Sequence, residues 1–424
     1  MHPRSVFNKE PDFNRLAEKY ESFNKFVKVG NNKRAYIDFK DPEAVKQLTV
    51  CLLKDQFDID IDFPLDSLCP AVPNRLNYIL WLQDLIDDTL TDAKDIIGID
   101  IGVGASCIYP LLGCATDLNW RFLGTDIDLR SIDYAIENVK RNHLEDRITI
   151  KHTADPSKIF LLEDTVPVYT FSMCNPPFYS SQEELDEGLD NKELEPSAVC
   201  NGSNGEMITE GGEYGFISRM IEESLILQKR VIWYTSMMGL KRTIRPLVRL
   251  LKESGISNYV VTNFTQGNTT RWAIAWSFYD NRPTHIKMLE SWLPKYSFEV
   301  ELPQNTDVVH SFLKPILDDL DIGHVVSGDE DGEIILDCTV DKNTWSRAAR
   351  RQRKRQKLEQ EEEKSENPFQ FKLELSSSQS PSLSYLQIIW LKGGDRPMFE
   401  GFWSHLKKRI EENCGIYRGS TFSK

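Results

Sequence analysis

From residue 96 onward the apolar positions change period in a regular way. Ile96-Ile97-Gly98-Ile99-Asp100-Ile101 is a near-continuous apolar run, the pattern of a strand buried on both faces of a parallel sheet. The glycine turn Gly102-Val103-Gly104-Ala105-Ser106 follows, and a helix begins over Cys107–Cys114. Trp120–Thr125 reads as the next strand and Leu129–Asn142 as an amphipathic helix. Arg147–His152, Val168–Cys174 and Arg230–Ser236 read as further strands, and Lys241–Lys252 as a helix. Two strands close in sequence, Tyr259–Phe264 and Arg271–Phe278, end the series. Strands separated by helices predict a parallel, doubly wound α/β sheet, and the short last connection predicts a terminal β-hairpin.

The flanks differ. Residues 42–55 and 75–90 have apolar side chains at helical spacing. Residues 1–34 carry eight Lys/Arg against four Asp/Glu, interleaved with Phe7, Phe13, Tyr20, Phe23 and Phe26. That mixture suits nucleic-acid binding by phosphate pairing and base stacking. A helix that packs its aromatics onto the core accounts for it equally well. After Pro283 the glycine turns cease. Strand-like pieces at 333–339, 369–375 and 385–391 precede a helix near 397–413. The run 347–357 (RAARRQRKRQK) holds seven Lys/Arg in eleven positions and is followed by the acids Glu359–Glu363. Residues 285–424 therefore read as a small α+β domain interrupted by a charged insertion.

A length of 424 residues predicts two or three domains. With 51 Lys+Arg against 65 Asp+Glu, the net charge is −14, which excludes a uniformly basic nucleic-acid coat but not a local basic surface. No stretch has the length and apolarity of a membrane span, and residues 1–4 open no secretory signal. The eight cysteines include no C-x-x-C pair, so free thiols are expected. The seven histidines form no H-x-H or H-E-x-x-H, and no metal centre is expected.

Two motifs carry chemistry. Glycines at 102 and 104 let the backbone approach a ligand closely, although a tight turn needs them as well. Asp126 follows the second strand, where a carboxylate can accept both hydroxyl protons of a ribose; Asp128 competes for that role. A glycine turn plus this acid implies a nucleoside-containing cofactor. The single G-x-G, without a third glycine or a phosphate-binding Lys, favours one lacking pyrophosphate. The second motif, Asn175-Pro176-Pro177-Phe178, ends the strand Val168–Cys174, at the edge where ligands bind in such folds. Consecutive prolines remove N–H donors and leave carbonyl acceptors. The Asn175 amide oxygen and the Pro176 carbonyl can accept both protons of a planar amine, and Phe178 can stack on the ring that bears it. The nitrogen lone pair is then localised and can attack a sulfonium methyl in line, driven by alignment and preorganised dipoles.

Several longer segments join these motifs. They are Phe39–Val45 (FKDPEAV), Val72–Tyr78 (VPNRLNY), Gly98–Pro110 (GIDIGVGASCIYP), Cys174–Phe178 (CNPPF), Glu210–Glu213 (EGGE) and Arg271–Tyr279 (RWAIAWSFY). In them the chain resembles the RNA adenosine-N6 methyltransferases that modify U6 small nuclear RNA, together with their bacterial ribosomal-RNA relatives. The resemblance is dense over residues 1–280 and fainter beyond. It implies a Rossmann-like, seven-strand class I methyltransferase sheet with an N-terminal helical extension and a small C-terminal α+β domain. The implied organisation is a basic and aromatic RNA-binding extension at 1–60 and an S-adenosylmethionine-dependent methyltransferase domain at 61–282. A C-terminal RNA-binding domain follows at 285–424, with its charged insertion near 347–367.

The resemblance places cofactor contacts at Arg75, Gly102, Ser106, Asp126 and Asn175, with a backbone contact near Ile159. The target adenine falls to Asn175, Pro176, Pro177 and Phe178. Arg75 precedes an apolar helix and suits a carboxylate of the ligand, though it could equally cap the helix or pair with an acid. Ser106 could be a plain N-cap. Asp126 stands where the family has Glu, one methylene longer. Glu183–Glu195 contains seven acids and one Lys, which speaks against phosphate contact there. The implied activity is methyl transfer from S-adenosylmethionine to adenine N6 of structured RNA, with U6 small nuclear RNA as partner and the nucleus as location. No membrane and no metal are expected. Two other readings fit the same motifs: a protein glutamine-N5 methyltransferase and a non-catalytic RNA-binding scaffold. The basic run 347–357 fits RNA binding and nuclear import alike.

Overall fold

The structure is a computed structural model that describes the chain except residues 31–33, 91–93, 185–206, 268, 293–296, 329–333, 347–368, 378–382, 394 and 417–424. The basic run at 347–357 and all but the first two residues of the acidic stretch 183–195 lie outside the described residues. The chain forms two compact units. One comprises Met1–Phe278 with His285–Leu293, the other Tyr279–Thr284 with Pro294–Lys424. The division is thus interlaced rather than a single cut near residue 283.

The first unit is built on a seven-stranded sheet. Its strands are β1 (Ile96–Ile101), β2 (Trp120–Asp126), β3 (Ile148–His152), β4 (Tyr169–Cys174), β5 (Val231–Met238), β6 (Asn258–Gln266) and β7 (Thr269–Ser277). Their order is β3-β2-β1-β4-β5-β7-β6. Strands β1 to β5 pair in parallel, and β7 inserts antiparallel between β5 and β6. After two short N-terminal helices, Phe13–Lys19 and Glu21–Asn24, the longer described helices are α1 (Pro42–Phe57), α2 (Val72–Thr89), α3 (Ile108–Thr116), α4 (Leu129–Arg141), α5 (Gly212–Leu227) and α6 (Ile244–Glu253). Tyr78 and Trp81 of α2 and Leu111 of α3 pack with Phe122 and Phe171 in one core cluster. Ile217 and Met220 of α5 and Leu247 of α6 pack with Ile99, Tyr234 and Trp276 in another. Both faces of the sheet are therefore covered, which is why its central strands read as apolar runs. Helix α5 is absent from the sequence reading. It opens at Gly211 in a left-handed conformation with no side-chain cap, so the usual start signal is missing.

Residues 1–60 share the core of this unit. Phe7 and Phe23 are buried with Leu53 and Trp81 in one cluster, and the Phe13 ring meets Phe23 edge-on at 5.8 Å. The rings of Phe7 and Phe23, at 4% and 0% exposure, are not free to stack on bases. Four of the eight basic residues of positions 1–34 are also paired with acids of the same unit. Arg15 and Lys19 both hold Asp55, a carboxylate with a side chain only 2% exposed. Arg4 pairs with Asp84, and Arg34 with Glu10. The hydrogen bonds from Arg15 and Lys19 keep the Asp55 carboxyl far below the usual range.

Among the described residues the second unit holds an all-antiparallel sheet and two helices. Its strands are β8 (Ser297–Leu302), β9 (Gly323–Gly328), β10 (Ile334–Val340), β11 (Phe369–Ser377) and β12 (Ser384–Lys392), in the order β8-β12-β11-β10-β9. Alternate residues of β11 (Phe369, Phe371, Leu373, Leu375) are buried with Leu313 and Leu317 of α7 (Thr306–Asp319) and Phe399 and Phe402 of α8 (Arg396–Asn413). The unit is α+β, as expected from the sequence. Strands β8 and β9 and helix α7 were not foreseen. Both strands lie at sheet edges, and Val325 and Val326 of β9 are exposed. Helix α7 carries an internal Pro315, a residue that argues against a helix when only sequence is read.

The packing of the N-terminal segment gives a direct check. Phe23→Ala should destabilise the chain by about 3–5 kcal/mol, the scale for emptying a buried aromatic site. Phe39→Ala, at an exposed ring, should change stability by less than about 0.5 kcal/mol. Denaturant unfolding of the two variants measures both, and equal effects would contradict the core role of Phe23.

Candidate active site

The register of the parallel strands assembles the site. Ile101 of β1 stands opposite Thr125 of β2 and Cys174 of β4. Neighbouring strands lie about 4.8 Å apart, so the residues that follow (Gly102, Asp126 and Asn175) leave the sheet side by side at one edge. The turn after β1 is pinned to β2, because Gly102 and Val103 donate their N–H groups to the Thr125 carbonyl at 2.9 and 3.0 Å. Gly102 has φ = 72°, and a Cβ there would meet nothing within 4 Å. Glycine is required by conformation, and the space above it is open.

Asp126 faces this turn. Gly104 N–H donates to its Oδ2 at 2.9 Å and Asp128 N–H to its Oδ1 at 3.0 Å. Burial raises its pKa, against the pull of these backbone donors. Asp128 is engaged elsewhere, capping α4 by accepting from the N–H groups of Arg130 and Ser131. Ser106 is buried but is not a helix cap; that position belongs to Cys107, in the left-handed region at φ = 51°. Arg75 sits in the first turn of α2 and donates to the Tyr109 hydroxyl at 2.9 Å. Tyr109 in turn contacts the Met237 sulfur at 3.1 Å. Among the described residues no carboxylate pairs with Arg75, so neither capping nor an ion pair accounts for it. The Ile159 N–H is taken by Glu223 of α5 at 2.9 Å, which leaves its carbonyl as the polar group still available there.

Between these residues lies Asp100, the acid that opens the glycine-turn motif and to which the motif alone assigns no role. Asp100, the fifth residue of β1, is fully buried, and neither carboxyl oxygen has a hydrogen-bond partner. Burial, reinforced by Asp126 and opposed by Arg75, pushes its pKa up to about 8. A lone buried carboxyl without a partner is costly. The signal was present as an acid in an otherwise apolar strand.

At the end of β4, Asn175 is half-exposed and its amide has no partner among the described residues. Pro176 is buried, and Pro177 and Phe178 are half-buried. The Phe178 ring rests on Gly239, just past β5, where an added Cβ would lie 2.8 Å from ring carbons. Gly239 is held by Glu213, a carboxylate in the first turn of α5 that is 2% exposed. Glu213 accepts from the N–H groups of Gly239 and Leu240. Burial raises its pKa, which these donors and Thr243 oppose. Residues beyond the motif are tied down by Tyr179 N–H to the Met207 carbonyl and Thr209 N–H to the Tyr179 carbonyl, both 3.0 Å. Glu213 and Gly239 were missed because their link spans 26 positions; the segment Glu210–Glu213 was their only trace.

Among the described residues no group of three or more His, Cys, Asp or Glu could hold a metal ion, and no helix is long and apolar enough to cross a membrane.

Comparison with known proteins adds three findings. Residues 1–280 match a family described as RNA methyltransferase. The chain is 37% identical over 394 residues to the U6 small nuclear RNA (adenine-(43)-N(6))-methyltransferase of Schizosaccharomyces pombe, covering 90% of this chain and 97% of that protein. Two solved structures are similar. The hMettl16 catalytic domain in complex with MAT2A 3′UTR hairpin 1 aligns with a TM-score of 0.62 at 44% identity, over 67% of this chain and 98% of that one. The N-terminal domain of human METTL16 in complex with SAH aligns with a TM-score of 0.56 at 42% identity, over 66% of this chain and 99% of that one.

Asp100 makes stability depend on pH with a definite sign. Below the ordinary carboxyl value of about 4, folded and unfolded chains are both protonated and the penalty vanishes. As pH rises toward about 8, the unfolded chain releases the proton that the fold retains, and stability falls. Asp100→Asn should therefore raise Tm relative to wild type more at pH 8 than at pH 5. A Tm difference that is constant with pH would mean that Asp100 titrates normally.

Proposed function

The chain belongs to the RNA methyltransferase family, and from that premise we propose that it methylates N6 of an unpaired adenosine in RNA. S-adenosylmethionine is the methyl donor, U6 small nuclear RNA the substrate, and the nucleus the place of action. The observation that carries this reading is the half-exposed, partnerless amide of Asn175 at the same sheet edge as Gly102 and Asp126, with Phe178 braced beside it.

The residues present fit the cofactor. The orphaned oxygens of Asp100 suit a buried cationic ammonium, and the open space over Gly102 suits a ligand pressed against backbone. Arg75, with guanidinium N–H groups beyond the one given to Tyr109, would hold the amino-acid carboxylate. Asp126 would accept from the ribose hydroxyls, since Asp128 is spent as a cap. Gly102, Ser106 and the Ile159 carbonyl would complete the walls. When bound, this cofactor supplies an electrophilic methyl on a sulfonium.

The chain's own residues do the rest. The Asn175 side-chain oxygen and the Pro176 carbonyl accept the two N6 protons, which turns the lone pair out of the ring plane. Pro177 keeps that backbone rigid and free of competing donors. Phe178 stacks on the purine, and Gly239, clamped by Glu213, sets the height of the ring. Adenine N6 is reachable only in an unpaired or extruded nucleotide. A glutamine side chain offers Phe178 no purine to stack on. A scaffold that only bound RNA would have no use for a partnerless Asn175.

Transfer of labelled methyl to a U6 transcript, with a release-factor peptide alongside, tests the reading; label on the peptide alone would overturn it. Asn175→Ala should lower turnover by about 10² or more, with little change in SAH affinity by calorimetry. Asp126→Ala should do the reverse, weakening SAH binding while RNA affinity stays near wild type.

Gly239→Ala should lower turnover by about 10² at unchanged SAH affinity, because the new methyl group displaces the Phe178 ring and not the cofactor walls. Wild-type turnover in this variant would show that the brace is irrelevant to transfer.

A further inference from the structure

The outer face of α6 is not used by the site just described. Lys241, Arg242, Arg245, Arg249 and Lys252 are all exposed, and Glu253 is the only acid in the segment 241–253. Positions 245, 249 and 252 repeat at three or four residues, so a single face of α6 carries them, and Lys241 lies in the 3-10 turn Lys241–Thr243 that leads into the helix. The opposite face is buried through Ile244, Leu247 and Leu251. Arg242 pairs with Glu184 at 3.0 Å. Among the described residues Lys241, Arg245, Arg249 and Lys252 form no ion pair. This contrasts with Arg4, Arg15, Lys19 and Arg34 of the N-terminal segment, which are neutralised within the fold.

Three unpaired like charges on one helix face, with Lys241 just before it, repel one another. In a chain of net charge −14, acids to neutralise them are plentiful, yet among the described residues none pairs with them. Beside this face lies an open groove of about 610 Å³, lined by Arg245, Arg249 and Lys252 on one side and by Ser291 and Trp292 on the other. Trp292 is half-buried, its ring packed on the core. Cations along a groove with an aromatic ring are the combination that binds single-stranded nucleic acid, by phosphate pairing and base stacking.

The position of the groove sets its role. Lys241 comes two residues after Gly239, which supports the Phe178 ring. From there the ten residues of α6 extend about 15 Å, so the cationic face starts at the rim of the target pocket and leads away from it. We propose that this face, with Trp292, is a docking track for the single-stranded RNA that flanks the target adenosine. It rests on the RNA-methyltransferase reading above and adds to it where the flank runs. The track contributes affinity and register, not chemistry.

The test uses the full chain and two labelled RNAs, one with the target and a single-stranded flank and one trimmed to the target loop. In the triple variant Arg245→Gln, Arg249→Gln, Lys252→Gln, affinity for the flanked RNA by fluorescence anisotropy should fall at least tenfold. The slope of log K against log salt should flatten by about 2, because each lost phosphate contact removes about 0.7 for a single strand. Affinity for the trimmed RNA and turnover on it should stay at the wild-type level, as should SAH binding and Tm, since the three side chains are exposed. Trp292→Leu should weaken the flanked RNA without changing the salt slope. Unchanged affinity and slope in the triple variant, with wild type methylating RNA, would overturn the track alone. Equal losses on both RNAs would overturn it as well, in favour of a diffuse charge effect. A wild-type chain that transfers no methyl to RNA would instead overturn the reading on which the track rests.

Discussion

The junction of β1 with β2 is the constraint on which the site depends. Two N–H groups of the turn, from Gly102 and Val103, converge on one carbonyl, that of Thr125. This fixes the turn over the end of β2 and delivers the Gly104 N–H to Asp126. A side chain at residue 102 would have to adopt a left-handed backbone, and the path of the turn would change. The parallel register then carries the alignment across to β4, so that Asn175 emerges beside Gly102. The same burial that makes β1 rigid strands Asp100 without a partner. The fold thus carries the cost of an unsatisfied buried carboxyl, a cost that a hydrogen-bond donor placed against it would remove.

The second half of the site is assembled from the other face of the sheet. Glu213 enters from α5 and reaches the backbone just after β5, and only through that contact does Phe178 acquire a floor. Glu223, nearly three turns further along the same helix, holds the backbone at Ile159. One helix therefore supports both the backbone under Phe178 and the backbone at Ile159, so a change in its position would disturb both together.

Charge is segregated rather than balanced locally. Four of the eight N-terminal basic residues are partners for Asp55, Asp84 and Glu10, while Arg245, Arg249 and Lys252 of α6 are exposed and form no ion pair among the described residues. An acidic protein can attract a polyanion only through such patches, because its net field repels phosphate at long range. Counting cations along the chain therefore does not reveal which of them are available; the partner of each must be known.

The strand and helix order from residue 96 to 278 was legible because a parallel sheet covered on both faces requires apolar runs, and glycine turns mark where they stop. Gly102, Asp126 and Asn175–Phe178 were legible for a related reason: each sits immediately after a strand, so its place at the sheet edge follows from the chain itself. Helix α5 lacked a capping residue, and β8 and β9 lie at half-solvated edges, so those elements left weak local traces. The aromatic and basic pattern of residues 1–34 was compatible with base stacking and with core packing, and burial of Phe7 and Phe23 decided for packing. Arg75 with Tyr109, Glu213 with Gly239 and Phe178, and the lack of any partner for Asp100 were decided only by tertiary structure. A hydrogen bond between residues 26 or 34 positions apart, or the absence of one, has no periodicity in the sequence. It exists only once the sheet has brought the two segments together and excluded the water that would otherwise have satisfied them.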